Sequence, residues 1–328
     1  MDRTRGKKII VWALREWKAI VTSILTAVLV TACGAGTSTE TDRDAITGAI
    51  ESSEFFAVDV TDDRSPDGAV YDASDRPPDE VQAAGAAADL PVAWGRGLFE
   101  HLQRDISISI TGDTAAVVVT DRIQGSLFVD TTDDGERNPW VKPFEDVLTR
   151  HAEFTRLPDG WRLTKISPLD ISLADPEQQT VRIQWIRASV DGVTVWESSS
   201  SSELFDIPAG LPVFSPLTEV LVEAKVVNSS PADYIPESFV FLHRPGGVLG
   251  RVRDRMFDDG SNGDRTASDG IFSRTYTIGQ VPGRYFAAVD VIDAATLLDE
   301  NAPYNSAAWG MPYIVEKPSA GPSTGAGE

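Results

Sequence analysis

Hydrophobic positions fall into three patterns along the chain. The first is one apolar run, Ala19 to Val30, broken only by Thr22, Ser23 and Thr26. The second is helical. Ala45, Ile46, Ala49 and Ile50 share a stripe, and Thr41-Asp42-Arg43-Asp44 before them reads as an N-cap with an acid three residues on. Phe55 and Phe56 close that helix. Residues 59–80, rich in Asp, Pro, Gly and Ser, read as a loop. Val81 to Leu102 again has helical composition, with alanines at 83, 84, 86, 87 and 88, a break at Pro91, and an apolar face of Trp94, Leu98, Phe99 and Leu102.

The third pattern has period two and fills the rest. Ile106, Ile108 and Ile110 alternate with Asp105, Ser107 and Ser109, and a turn at Thr111-Gly112-Asp113 follows. Strands are predicted over 115–120, 123–129, 144–155 and 161–167, with a polar connection at 130–139 and a turn at Pro158-Asp159-Gly160. Helices followed by a four-stranded antiparallel meander predict an α+β domain over 45–175, helices packed on one sheet face. Beyond Pro176 come short strands at 181–190, 193–197, 204–207, 219–227, 237–243, 250–257, 271–277, 283–292 and 311–315, with an Asp191-Gly192 hairpin turn between the first two. That spacing predicts an all-β sandwich over 176–316. Residues 317–328 are Pro, Gly, Ser and Ala, and predict a disordered tail.

Charge alters the picture next. The chain has 29 Lys+Arg and 50 Asp+Glu. Segment 1–32 holds six of the bases and two of the acids, so 23 bases and 48 acids follow it, a net of −25. Phosphate neutralisation needs clustered Lys and Arg, which excludes nucleic acid as a partner. The bases before the apolar run, its length of about a dozen residues and the small residues after it describe a secretory signal, too short for the ~20 residues of a membrane-spanning helix. Cys33, the single cysteine, ends that run and allows no internal disulfide.

Leu29-Val30-Thr31-Ala32-Cys33 resembles the lipobox of bacterial lipoproteins. The resemblance implies cleavage after residue 32 and acylation (palmitate among the chains) of Cys33, followed by a Gly/Ser/Thr/Asp tether to residue 44. It also implies a bacterial cell envelope location, at the outer membrane if the cell has two, because Gly34 rather than Asp follows the cysteine. Two or more acyl chains hold a protein stably where one does not. The alternative is an uncleaved signal anchor. The helix-then-meander order, ending in Asp159-Gly160-Trp161-Arg162-Leu163-Thr164-Lys165-Ile166, resembles NTF2-like or cystatin-like cone domains. Some NTF2-like domains are isomerases or dehydratases, which makes His101, His151 and Glu153 the residues of an enzymatic alternative.

Asp258-Asp259-Gly260-Ser261-Asn262-Gly263-Asp264 through Asp269-Gly270-Ile271-Phe272, with Pro282-Gly283-Arg284-Tyr285 beyond, resembles a loop and strand of Ig-like domains in bacterial surface proteins. Asp258, Asp259, Asn262, Asp264 and Asp269 form a candidate calcium site, since calcium takes six to eight oxygens from a tight loop. The spacing fails the EF-hand pattern at Gly260 and at Asp269, where a longer Glu belongs. The competing reading is that Asp and Asn cap turns while Gly supplies positive φ. With three His the chain offers no zinc set, and no nucleophile, base and orienter stand out. The expectation is a non-catalytic binding, adhesion or scaffolding protein, held to the membrane by its lipid and facing an envelope protein or polymer. The enzyme is the alternative.

Overall fold

The computed structural model describes residues 39–58, 71–72, 91, 93–132, 134, 136, 138–229, 234, 236–245, 251–261 and 263–316. The signal segment, Cys33, the tether up to residue 38, nearly all of the 59–80 loop, the alanine-rich part of 81–102, Asn262 and the 317–328 tail lie outside them, while residues 39–44 of the expected tether are helical.

Two helices and sixteen strands make up the described body. Helix α1 (Thr39–Glu51) opens it and a single 3-10 turn at Glu54–Phe56 follows. The strands of one long sheet come in two groups. The first is β1 (Tyr71–Asp72), β2 (Ala93–Thr111), β3 (Thr114–Asp130), β4 (Trp140–Leu157), β5 (Gly160–Ile166) and β6 (Leu169–Leu173). The second is β12 (Ser238–Pro245), β13 (Arg251–Met256), β15 (Gly283–Asp293) and β16 (Ser306–Val315). Their order is β1-β2-β3-β4-β6-β16-β15-β12-β13, with β5 beside β4. Two short strands complete it: β9 (Phe205–Asp206) on β5 and β10 (Val213–Phe214) on β16, the one parallel pair among the described residues. A second sheet holds β14 (Ile271–Thr277), β11 (Glu219–Asn228), β7 (Val181–Val190) and β8 (Val193–Ser198), in that order. Helix α2 (Ala294–Leu298) follows β15, capped by Asp293, whose side chain accepts from Ala295 N.

The long sheet curls until its ends meet. Trp94 on β2 lies 4.9 Å from Phe241 on β12, and Arg253 on β13 sits 3.5 Å over the Trp94 ring. Two groups of apolar side chains line the concave face. Ile46 and Ile50 of α1, with Phe55 and Phe56, pack on Val117, Val119, Phe154 and Phe286. Each fully buried side chain of this kind contributes roughly 1.5–3 kcal/mol. Trp94, Leu127, Phe241 and Leu297 form the second group.

The convex face of β12, β15 and β16 carries the four-stranded sheet. Val240, Leu242, Val289, Val291, Trp309 and Met311 meet Ile186, Val222 and Tyr276 across it. These three strands are therefore covered on both faces, which is why they read as near-continuous apolar runs such as Phe239–Leu242 and Phe286–Val289.

The expected fold class is corrected. The α+β cone, with helices on a four-stranded sheet, followed by an Ig-like sandwich as a second domain, is not what forms. The body is mostly β, in two sheets. Strands from both sides of Pro176 share the long one, with β6 paired to β16 at Leu169↔Gly310, Asp170↔Trp309 and Ile171↔Ala308. The predicted helical face of Trp94, Leu98, Phe99 and Leu102 belongs to strand β2. Its register slips between Gly97 and Glu100 and again between His101 and Gln103. These two bulges break the alternation, so the apolar spacing imitates a helix.

Candidate functional site

The acidic loop closes one end of a hairpin-like excursion between β13 and β14. Phe257 and Ser273 exchange backbone hydrogen bonds of 3.1 and 2.8 Å, and everything between them turns on aspartates. Asp258 Oδ1 and Oδ2 accept from Asp269 N at 3.1 Å and Gly270 N at 2.7 Å. Asp264 Oδ2 and Oδ1 accept from Gly260 N at 2.6 Å and Thr266 N at 3.1 Å. Asp269 Oδ1 accepts from Ile271 N at 2.8 Å. Glycine is required at Gly263, with φ of 99° and a Cβ that would lie 2.4 Å from Leu221 Cδ1. Thus the aspartates cap turns, as one of the two sequence readings has it.

The same folding brings three carboxylates together. Oxygens of Asp258, Asp264 and Asp269 all lie within 4.8 Å of one another. Burial raises the Asp258 pKa, its two amide donors oppose this, and the charges of Asp264 and Asp269 push it further up. Asp259 turns away to accept from Ser261 N at 2.8 Å, and Asn262 is not among the described residues. Lys225 Nζ donates to the Asp269 carbonyl. A carboxylate oxygen that accepts one amide keeps a lone pair for a metal. The set suits a hard divalent cation such as calcium in donor type, with three side chains toward its six to eight oxygens.

A second charged assembly lies inside the curl, and sequence reasoning missed it. Arg96 on β2 donates Nη1 to Asp290 Oδ2 at 2.5 Å and Nη2 to Asp290 Oδ1 at 3.1 Å, a bidentate pair. Its Nε donates to Tyr304 Oη at 2.9 Å, and Nη2 also reaches Ser306 Oγ at 3.1 Å. His243 Nε2 lies 3.0 Å from Asp290 Oδ2. Tyr304 Oη donates to Asp146 Oδ2 at 3.3 Å. Asp290 and His243 are wholly buried.

Burial would raise the Asp290 pKa, but Arg96 and His243 outweigh it and hold the carboxyl well below its usual range. Asp146 goes the other way. Burial pushes it up to about 7, against the weaker pull of Arg96 and the Tyr304 hydrogen bond. One signal was present in the sequence: Asp290 interrupts the apolar run Phe286–Ile292, where a charge demands a partner.

The residues of the enzymatic alternative do not converge. His151 and Glu153 lie on the face of β4 opposite Asp146 and Arg150. Glu153 pairs with Lys165 at 3.1 Å, while His101 Nε2 lies 2.7 Å from Asp121 Oδ1 on β3.

No family model, no curated protein and no solved structure matches this chain.

Proposed function

We propose that this chain is a lipid-anchored, non-catalytic protein of the bacterial cell envelope, its β body presented from Cys33 by the tether that follows. The observation that carries the non-catalytic part is that the Arg96 cluster binds itself rather than facing an open cleft with the candidate histidines. Arg96, Asp290, His243, Tyr304 and Asp146 bind one another, and His151 and Glu153 are set on another face. The anchor rests on Leu29-Val30-Thr31-Ala32-Cys33. The acidic loop then acts as a cation-stiffened rim of the four-stranded sheet, available to an envelope protein or polymer.

Labelling cells with palmitate and fractionating them tests the anchor. The wild-type chain incorporates label and sediments with membranes, and Cys33→Ser does neither. Label-free, membrane-bound Cys33→Ser would show a signal anchor in its place.

A further inference from the structure

Arg96 and Arg150 face the same interior, and only one of them is answered. Arg150 projects from β4 at 2% exposure. Its Nη1 and Nη2 are buried and make no hydrogen bond among the described residues. The Phe286 ring lies beneath it, 4.2 Å from the guanidinium carbon to the centroid. Val119 stands directly across the strand pair, and Leu148 and Ala152 flank it on the same buried face. Asp121 attracts it, but the Asp121 oxygens are already held by Arg104 at 2.7 and 3.0 Å and approached by His101 at 2.7 Å.

Burial pushes the Arg150 guanidinium down to about 9, with Asp121 opposing, so it stays a cation at neutral pH. A buried cation with open donors is among the most costly arrangements a fold can hold, and buried charges are paired as a rule. Methionine would fill the same space without that cost.

We propose that the interior of the curled sheet binds a monocarboxylate with an alkyl tail, its carboxylate paired with Arg150. One guanidinium matches one planar carboxylate in bidentate geometry. A phosphate would bring a second charge and a third oxygen into surroundings of Val119, Leu148, Ala152 and Phe286, which offer neither counter-charge nor donor. Those same side chains suit an alkyl tail. Entry needs no hydrogen-bonded ladder to break. Among the described residues, the edge of β2 facing away from β3, from Gly95 onward, and the outer edge of β13 have no strand partner, and side chains such as Arg253 bridge that seam. This site is independent of the lipid anchor and of the acidic loop.

Thermal melting of the full chain with decanoate, decanol or inorganic phosphate, before and after Arg150→Met, is the test. Decanoate in hundredfold excess over its Kd raises the wild-type midpoint by at least about 3 °C. Decanol and phosphate leave it unchanged, and Arg150→Met abolishes the decanoate shift. No shift with decanoate, an equal shift with phosphate or decanol, or a shift that survives Arg150→Met overturns the proposal. Should Arg150→Met fail to fold, decanoate labelled with 13C at its carboxyl carbon decides on the wild-type chain. A bound resonance that stays ionised well below the free acid's pKa supports the pair, and one that titrates as the free acid overturns it.

Discussion

Two clusters of charge in this molecule are balanced by different means. Inside the curled sheet, opposite charges meet: Arg96 faces Asp290 through both of its terminal nitrogens. In the loop between β13 and β14, like charges meet: Asp258, Asp264 and Asp269 crowd within 4.8 Å, and backbone amides answer them. The first cluster is assembled by side chains from β2, β12, β15 and β16, so it depends on the whole long sheet. The second is assembled by turns within a dozen residues. A long-range cluster fixes where strands stand relative to one another, whereas a local one fixes only the shape of a loop.

Arg96→Met should have the largest effect on the buried cluster. It leaves Asp290 buried beside His243 without its main counter-charge and should cost about 3–5 kcal/mol in urea unfolding. A loss below about 1 kcal/mol would mean that the buried pair adds nothing to the fold.

A smaller effect comes from Asp146, whose Oδ1 has no hydrogen-bond partner among the described residues. Its folded pKa, about 7, is above the unfolded value of 3.8. Between these values the folded chain holds a proton that the unfolded chain releases. Stability from this group therefore falls as pH rises from about 4 to 7, by up to about 1.4 kcal/mol per unit. Asp146→Asn should match wild type at pH 4 and exceed it by a few kcal/mol at pH 7.5. Parallel pH profiles for the two chains would remove Asp146 as the cause.

The smallest effect belongs to the loop. Calcium should raise the melting midpoint by about 2–3 °C and a chelator should reverse it, with Asp264→Asn insensitive to both. A midpoint unmoved by calcium leaves the amide donors as the whole explanation of the cluster.

The legible parts of the fold were those where one local rule acts alone. Helix α1 shows its stripe of Ile46 and Ile50, and the hairpins at Gly112, Gly160 and Gly192 show their turn residues at positive φ. Where a second effect intrudes, the pattern misleads. The bulges in β2 put Leu98 at 75% exposure and Phe99 among the packed residues, a spacing that a helix would also give. Pairings such as β6 with β16 join residues well over a hundred positions apart, and no period records them. The acidic loop was legible because its partners are neighbours in sequence. The Arg96–Asp290 pair, separated by 194 positions, was not.

Strand β16 has a consequence in time. It occupies Ser306–Val315 and touches β6, β10 and β15, so it is the keystone between the two groups of the long sheet and a wall of the sandwich core. A ribosome makes it after every other described strand. The sandwich core cannot be completed until residue 315 is available, and contacts this distant in sequence form slowly. The described body must therefore stay open until this last of its strands has been made, and its two groups of strands close on each other only then.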